Sequence, residues 1–174
     1  QNYQWSADSG QIAFKIMDIQ YLPTRELHYY ADNDLKVRKV SRAFPGDETE
    51  RYYVGLASVD TNAVRVFERP DAKHDIWNYG LSSDGKALFI NSSDMLVKEH
   101  TVYMFDAATG KRDVFYYEYD AKHLRPDWKV AWAPNDEGLI ILTDRGGYLH
   151  LYHQVDKGAE PKVLTNGTWE IASF

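Results

Sequence analysis

The sequence predicts an all-β chain assembled from successive four-stranded antiparallel sheets, and three observations lead there. Twenty-five of its 174 residues are aromatic, 13 of them tyrosine, and aromatic and β-branched side chains suit the pleated, half-buried surface of a sheet. Stretches suited to long amphipathic helices are scarce. Ala131 to Tyr152, for example, is a set of short apolar runs broken by Pro134-Asn135-Asp136-Glu137-Gly138 and Asp144-Arg145-Gly146-Gly147. The third observation is a pair of motifs that alternates along the chain.

The first motif is an apolar anchor, a polar turn and an apolar strand. It occurs at Trp5-Ser6-Ala7-Asp8-Ser9-Gly10 before Ile12-Ala13-Phe14, and at Leu81-Ser82-Ser83-Asp84-Gly85 before Leu88-Phe89-Ile90. It recurs at Trp132-Ala133-Pro134-Asn135-Asp136-Glu137-Gly138 before Leu139-Ile140-Ile141. Asp and Asn close such turns through their own side chains, and Gly supplies a positive φ at little steric cost. The second motif reads strand, Asp-led turn, strand, which is a β-hairpin. It is carried by Gly55–Phe67, Val102–Phe115 and Leu149–Leu164 around Asp60, Asp106 and Asp156, which lie 46 and 50 positions apart. Hairpin feeding hairpin at that period describes a four-stranded propeller blade. The expected architecture is therefore a partial β-propeller. It has three blades at about 5–70, 77–117 and 127–167, and residues 168–174 open a fourth with Trp169 facing a sheet-to-sheet core. A sandwich or meander with common turn chemistry is the alternative.

The first repeat is longer than the others. Some 40 residues separate Phe14 from Val54, and they hold an alternating stretch, Tyr29 to Val40, and a turn cluster, Phe44-Pro45-Gly46-Asp47-Glu48. A long hairpin insert over 15–53 is expected, and long excursions inside a compact fold carry function or an interface.

Composition bounds the function. Twenty-six acidic side chains against 20 basic ones give a net charge of −6, which argues against a nucleic-acid or anionic-membrane binder. The absence of cysteine removes disulfides, iron–sulfur clusters and thiol nucleophiles. The longest apolar runs, such as Gly138 to Leu142, fall far below the roughly 18 residues of a membrane-spanning helix. Gln1 to Trp5 has neither the basic nor the apolar region of a signal peptide. Asn91-Ser92-Ser93 and Asn166-Gly167-Thr168 match the N-glycosylation acceptor pattern.

Several of these segments together resemble one family. Trp5-Ser6-Ala7-Asp8-Ser9 with Ile12-Ala13-Phe14, the insert ending in Phe44-Pro45-Gly46, and Val59-Asp60-Thr61 fall in its register. So do Gly147-Tyr148-Leu149-His150-Leu151-Tyr152 and Leu164-Thr165-Asn166-Gly167-Thr168-Trp169-Glu170-Ile171. The chain resembles the N-terminal β-propeller of dipeptidyl-peptidase-IV-like serine peptidases of the prolyl oligopeptidase clan. The last two runs are the most specific. The resemblance implies that catalysis belongs to an α/β-hydrolase domain further along a parent chain, with peptides as substrate in the full enzyme. It implies that the propeller limits substrate access and takes part in homo-oligomer assembly, and it points to a periplasmic or extracellular compartment. The family's paired glutamates for the substrate amine lie just before the segment matching Trp5-Ser6. Its substrate-facing aromatic–Arg pair falls in the segment matching Tyr117 to Trp128, where Arg125 is the candidate substrate-binding residue although the neighbouring aromatic is not reproduced.

Read for chemistry of its own, the chain offers little. The nearest approach to a Gly-x-Ser-x-Gly elbow is Gly80-Leu81-Ser82-Ser83-Asp84-Gly85, where the second Gly is one place late and Ser82 sits in a repeat turn. His150 and His153 are three apart in a strand and point to opposite faces, a poor metal pair. Asp32-Asn33-Asp34 lacks the alternating spacing of a calcium loop. Arg145 reads as an ion-pair residue. No catalytic residue, metal or cofactor is expected in this chain. Two functional readings stand: the non-catalytic propeller portion of a dipeptidyl-peptidase-IV-like enzyme, or a stand-alone propeller-type protein-binding module.

Overall fold

The computed structural model describes residues 3–31, 34–67 and 74–174. Residues 68–70 of the first expected blade, and Asp32 and Asn33 of the calcium-loop reading, lie outside the described residues. The strands, in chain order, begin with β1 (Tyr3–Trp5) and β2 (Gln11–Asp18), followed by a hairpin of β3 (Thr24–Ala31) and β4 (Asp34–Ser41). Then come β5 (Arg51–Ser58), β6 (Val64–Phe67), β7 (His74–Leu81), β8 (Ala87–Asp94), β9 (Glu99–Asp106) and β10 (Arg112–Tyr119). The last are β11 (Lys129–Trp132), β12 (Leu139–Thr143), β13 (His150–Gln154) and β14 (Lys162–Val163), with a 3-10 turn at Pro134–Asp136. They form three four-stranded sheets, ordered β1-β2-β5-β6, β7-β8-β9-β10 and β11-β12-β13-β14, besides the two-stranded β3-β4. This is the all-β, partial propeller arrangement the repeats call for. Among the described residues no helix is long and apolar enough to cross a membrane.

The recurring turn works through one set of hydrogen bonds. In the first sheet Ser6 Oγ donates to Asp8 Oδ1 at 2.6 Å and accepts from Gln11 N–H at 2.9 Å, while Asp8 also caps Gly10 N–H. In the second, Ser82 Oγ donates to Asp84 Oδ1 at 2.8 Å and accepts from Ala87 N–H at 2.9 Å, while Asp84 caps Lys86 N–H. Those bonds hold the Asp84 carboxyl at about 2. Ala133 has no hydroxyl, and Pro134 and Asn135 form the 3-10 turn instead; the closing Ala133 N–H to Gly138 O bond is kept at 3.0 Å. These turns also link the sheets. Ala7 N–H donates to Ser83 O at 3.3 Å, and Ser83 donates N–H and Oγ to Asp136 Oδ2 at 2.8 and 2.5 Å.

The chain divides into two compact units, Gln1–Lys15 with Tyr53–Phe174, and Ile16–Tyr52. In the first, the opening strands of successive sheets converge, β7 lying against both β1 and β11. Side chains fasten them. Gln4 exchanges hydrogen bonds with the Leu81 backbone, Asn78 Nδ2 donates to Val130 O at 2.7 Å, and Trp132 Nε1 donates to Gly80 O at 3.1 Å. The core between the second and third sheets joins Phe89, Val102, Tyr116, Val130, Leu139 and Ile141. Phe67 meets Phe105 edge-on at 5.2 Å between the first and second. Within the second sheet Gly80 leaves room for the ring of its cross-strand partner Phe89, since a Cβ there would lie 2.3 Å from it.

The second unit is the expected hairpin insert. β3 and β4 pair from Thr24↔Ser41 to Ala31↔Asp34. Arg25 ion-pairs with Asp47 and lies 4.3 Å over the Phe44 ring, and the turn closes with Asp47 N–H to Phe44 O at 2.9 Å. Tyr30↔Leu35 and His28↔Val37 share one face of the hairpin. Tyr30 is 84% exposed and Leu35 55%.

Residues 164–174 carry no strand, and Trp169 meets His150 edge-on at 5.0 Å. A strand is held by its ladder partner, and the segment's hydrogen bonds run singly to the third sheet, as from Ile171 N–H to Leu149 O at 3.0 Å. Of the two glycosylation patterns, Asn91 is wholly buried in β8 and Asn166 is exposed.

Candidate functional site

The converging strands β1 and β7 leave a cleft of about 640 Å³, lined by Tyr3, Gln4, Trp5, Lys15, Trp77, Asn78 and Tyr79. Trp77 enters it because of a β-bulge: the β7–β8 register shifts between Ile76 and Asn78. Bulges re-aim side chains next to functional sites. Lys15 Nζ donates to Ile76 O at 3.1 Å. Burial lowers its proton affinity, against the attraction of Asp75.

Behind Trp77 a row of rings runs into the core. Trp77 meets Trp128 edge-on at 5.8 Å, Trp128 stacks on His100 at 4.2 Å, and His100 meets Tyr116 edge-on at 5.3 Å. Around His100 lies a buried polar network. Asn91 Nδ2 donates to Asn78 Oδ1, so Asn91 Oδ1 accepts from His100 Nε2 at 2.7 Å. Nδ1 faces Glu118 Oε2 at 3.9 Å. Glu118 Oε2 accepts from Tyr116 OH and Thr143 Oγ1, both at 2.8 Å. Burial depresses the basicity of His100 despite Glu118. Burial also works against the Glu118 carboxylate, but His100 and the two hydroxyl donors outweigh it and hold its carboxyl low. Burial and the nearby Glu118 push the Tyr116 phenol far up.

Arg125 lies at the surface between two carboxylates. Its Nε donates to Asp127 Oδ2 at 2.6 Å and its Nη1 to Glu170 Oε1 at 2.5 Å. Asp144 is close enough to feel Glu118, Arg125 and Asp127; burial raises its carboxyl first, and the two acids add to that. The guanidinium is thus oriented by a pair of acids, one of them supplied from the Trp169-Glu170-Ile171 run. The remaining singled-out residues are placed as follows. Ser82 is buried inside its turn clamp. His150 Nε2 bonds Gly167 O at 3.1 Å and His153 Nε2 bonds Glu137 O at 2.7 Å, so the two rings are tied to different loops. Arg145 pairs with Glu160 at 3.1 Å and lies 5.7 Å over Tyr152. Sequence reasoning missed the cleft and the His100–Glu118 network altogether.

Comparison with known proteins gives this geometry a context. The family model of the dipeptidyl peptidase IV (DPP IV) N-terminal region matches residues 1–174. A curated protein of Aspergillus flavus named "Probable dipeptidyl peptidase 4" is 23% identical over 193 aligned residues, covering 98% of this chain and 24% of its own length. A protein of the same name from Neosartorya fischeri is 25% identical with the same coverage of both chains. The chain thus spans about a quarter of the length of the curated relatives it matches. Among solved structures, a "putative dipeptidyl aminopeptidase IV" from Bacteroides ovatus superposes with a TM-score of 0.84 at 20% identity, covering 99% of this chain and 27% of that one. The dipeptidyl peptidase 4 of Porphyromonas gingivalis gives 0.81 at 18% identity, with 97% and 24% covered. At these identities the structural likeness bears on fold alone. The match over the whole chain shows that this protein belongs to the dipeptidyl peptidase IV N-terminal region family.

Proposed function

We propose that this chain is the non-catalytic propeller portion of a dipeptidyl-peptidase-IV-like serine peptidase, controlling substrate access and supporting oligomer assembly for an α/β-hydrolase domain elsewhere in the parent protein. The observation that carries this reading is the family match over residues 1–174 beside relatives about four times as long. The convergence of β1, β7 and β11, with exposed rings on the first two, supports an access role. The exposed Tyr30, Leu35 and Val37 of the hairpin support an assembly role. The blades are taken as about 5–70, 77–117 and 127–167, with 168–174 leading into a fourth. Arg125, oriented by Asp127 and Glu170, is the proposed substrate contact.

The test uses an X-Pro dipeptidyl chromogenic substrate. The purified chain is expected to show no turnover, and activity abolished by Ser82→Ala would remove the non-catalytic reading. In the parent enzyme, Arg125→Ala should raise KM while leaving kcat near its starting value. An unchanged KM would remove Arg125 from the substrate path. A parent protein without turnover would favour the stand-alone protein-binding module.

A further inference from the structure

We propose that a cleft between the outer strands of the first two sheets binds a phosphomonoester, its phosphate held by Arg65 and Arg112. β6 and β10 end the strand orders β1-β2-β5-β6 and β7-β8-β9-β10, so the site lies at the far edge of these sheets from β1 and β7. It is independent of the proposed peptidase role. The cleft measures about 420 Å³ and both arginines line it, a size common among ligand clefts, which span roughly 300–1,000 Å³.

The fold brings two guanidiniums to one cleft and gives neither an acid. Arg65 reaches from β6 to the β9–β10 turn, donating Nη2 to Ala108 O at 2.6 Å and Nη1 to Thr109 O at 3.3 Å. Arg112, at the start of β10, lies 5.3 Å over the Tyr103 ring. Among the described residues neither forms an ion pair. The acids beside them are engaged elsewhere. Asp106 feels the Arg65 charge, but its Oδ1 accepts from Thr109 N–H and Oγ1 at 2.6 and 2.7 Å. Asp113 pairs with Lys157 at 3.4 Å. Like charges sharing a cleft repel, and an anion between them relieves that repulsion.

The donors left over suit a phosphate. A guanidinium carries five N–H donors, and the two carbonyls take two of those on Arg65 while fixing its plane. Its Nε–H and one N–H on each terminal nitrogen remain. Stacking over Tyr103 takes none from Arg112. The turn that orients Arg65 is itself closed by Asp106, and Gly110 turns the chain at φ +76. A Cβ on Gly110 would lie 3.2 Å from Arg65 Nη1, so glycine leaves the guanidinium its place. Arginine forks match phosphate oxygens in pairs. A phosphomonoester offers three terminal oxygens and a charge of about −2 above its second pKa near 6, acceptors enough for both forks. A carboxylate offers two oxygens and one charge, which one fork satisfies. The edge-on Phe67–Phe105 pair also lines the cleft, an apolar floor for the organic part of the ester.

The probe is phenyl phosphate, titrated into the chain as the dianion by calorimetry and followed by phosphorus NMR. Saturable binding of one equivalent is expected, several-fold tighter than inorganic phosphate and at least tenfold tighter than benzoate. Arg112→Gln should weaken it at least tenfold. No hydrogen bond to Arg112 is lost in that variant, which keeps the test valid if Arg65→Gln, expected to weaken binding equally, loosens the contact between sheets. Lys111→Gln, in the same turn but outside the cleft, should change the affinity less than twofold. Absence of saturable binding, benzoate binding as tightly as phenyl phosphate, or wild-type affinity in Arg112→Gln would overturn the proposal. So would a loss in Lys111→Gln as large as in Arg112→Gln, which would mark diffuse attraction rather than a site. Equal affinity for inorganic phosphate would overturn the choice of an ester.

Discussion

Removing the Glu118 carboxylate tests how the core is held between the second and third sheets. In Glu118→Ala, Tyr116 OH and Thr143 Oγ1 lose the acceptor they share at 2.8 Å. Both residues are nearly inaccessible, at 4% and 0% exposure, so water does not readily replace it. An orphaned buried polar group costs about 1–3 kcal/mol, and two of them give about 2–6. Breaking a buried charged constellation costs about 3–5 kcal/mol, which narrows the expectation to that range. With a urea slope near 2 kcal/mol/M, the midpoint should fall by roughly 1.5–2.5 M. Tyr116→Phe removes one donor rather than the acceptor and should cost less, about 1.5–3 kcal/mol for a bond to a charged group. The double variant should fall short of additivity, since the hydroxyl is already orphaned once Glu118 is gone. A loss below about 1 kcal/mol in Glu118→Ala would refute the reasoning.

The same network sets the pH dependence. His100 binds its proton less readily folded than unfolded, so its contribution is complete above its ordinary value of 6.5 and declines as pH falls through it. Glu118 holds its proton less readily folded, so its contribution is complete above 4.5 and declines below. Both slopes have the same sign: urea midpoints should fall on acidification from pH 7, and a midpoint that rose would contradict both. Gly138→Ala should cost more than about 2 kcal/mol, since the backbone sits at φ +88 and the new Cβ would lie 2.2 Å from Gln154 O. Gly147→Ala, at φ +99 with nothing within 4 Å, should cost only about 1–2 kcal/mol. Light scattering of the isolated chain should show self-association through the exposed Tyr30, Leu35, Val64 and Val66; a monodisperse monomer at high concentration would contradict that. Expressed through a eukaryotic secretory route, the chain should gain a glycan at exposed Asn166 and none at buried Asn91, a difference peptide mass spectrometry reads directly.

Much of the fold was legible because its repeats are local. The Ser6–Asp8 and Ser82–Asp84 clamps are written in consecutive residues, and the structure gives both the same hydrogen bonds. The hairpin turns were equally visible, as where Asp106 Oδ1 caps Thr109 N–H at 2.6 Å before Gly110 turns the chain at φ +76. The insert was legible from length alone. The site was not, because it is made across sheets. Asn91, His100, Tyr116, Glu118, Trp128 and Thr143 come from four strands and a loop, and register alone brings them together. Trp77 reads in the sequence as one more strand aromatic; only the bulge beside Ile76 turns it outward. Arg125 was named from the resemblance, but its partner Glu170 is 45 positions away.

The most direct measurement locates the nucleophile of the parent protein. Its X-Pro dipeptidyl turnover should persist in Ser82→Ala and vanish when the serine of a Gly-x-Ser-x-Gly elbow outside this region is replaced. Turnover lost in Ser82→Ala with the fold intact would contradict a non-catalytic role for this chain, and a parent protein with no such elbow would contradict the peptidase reading.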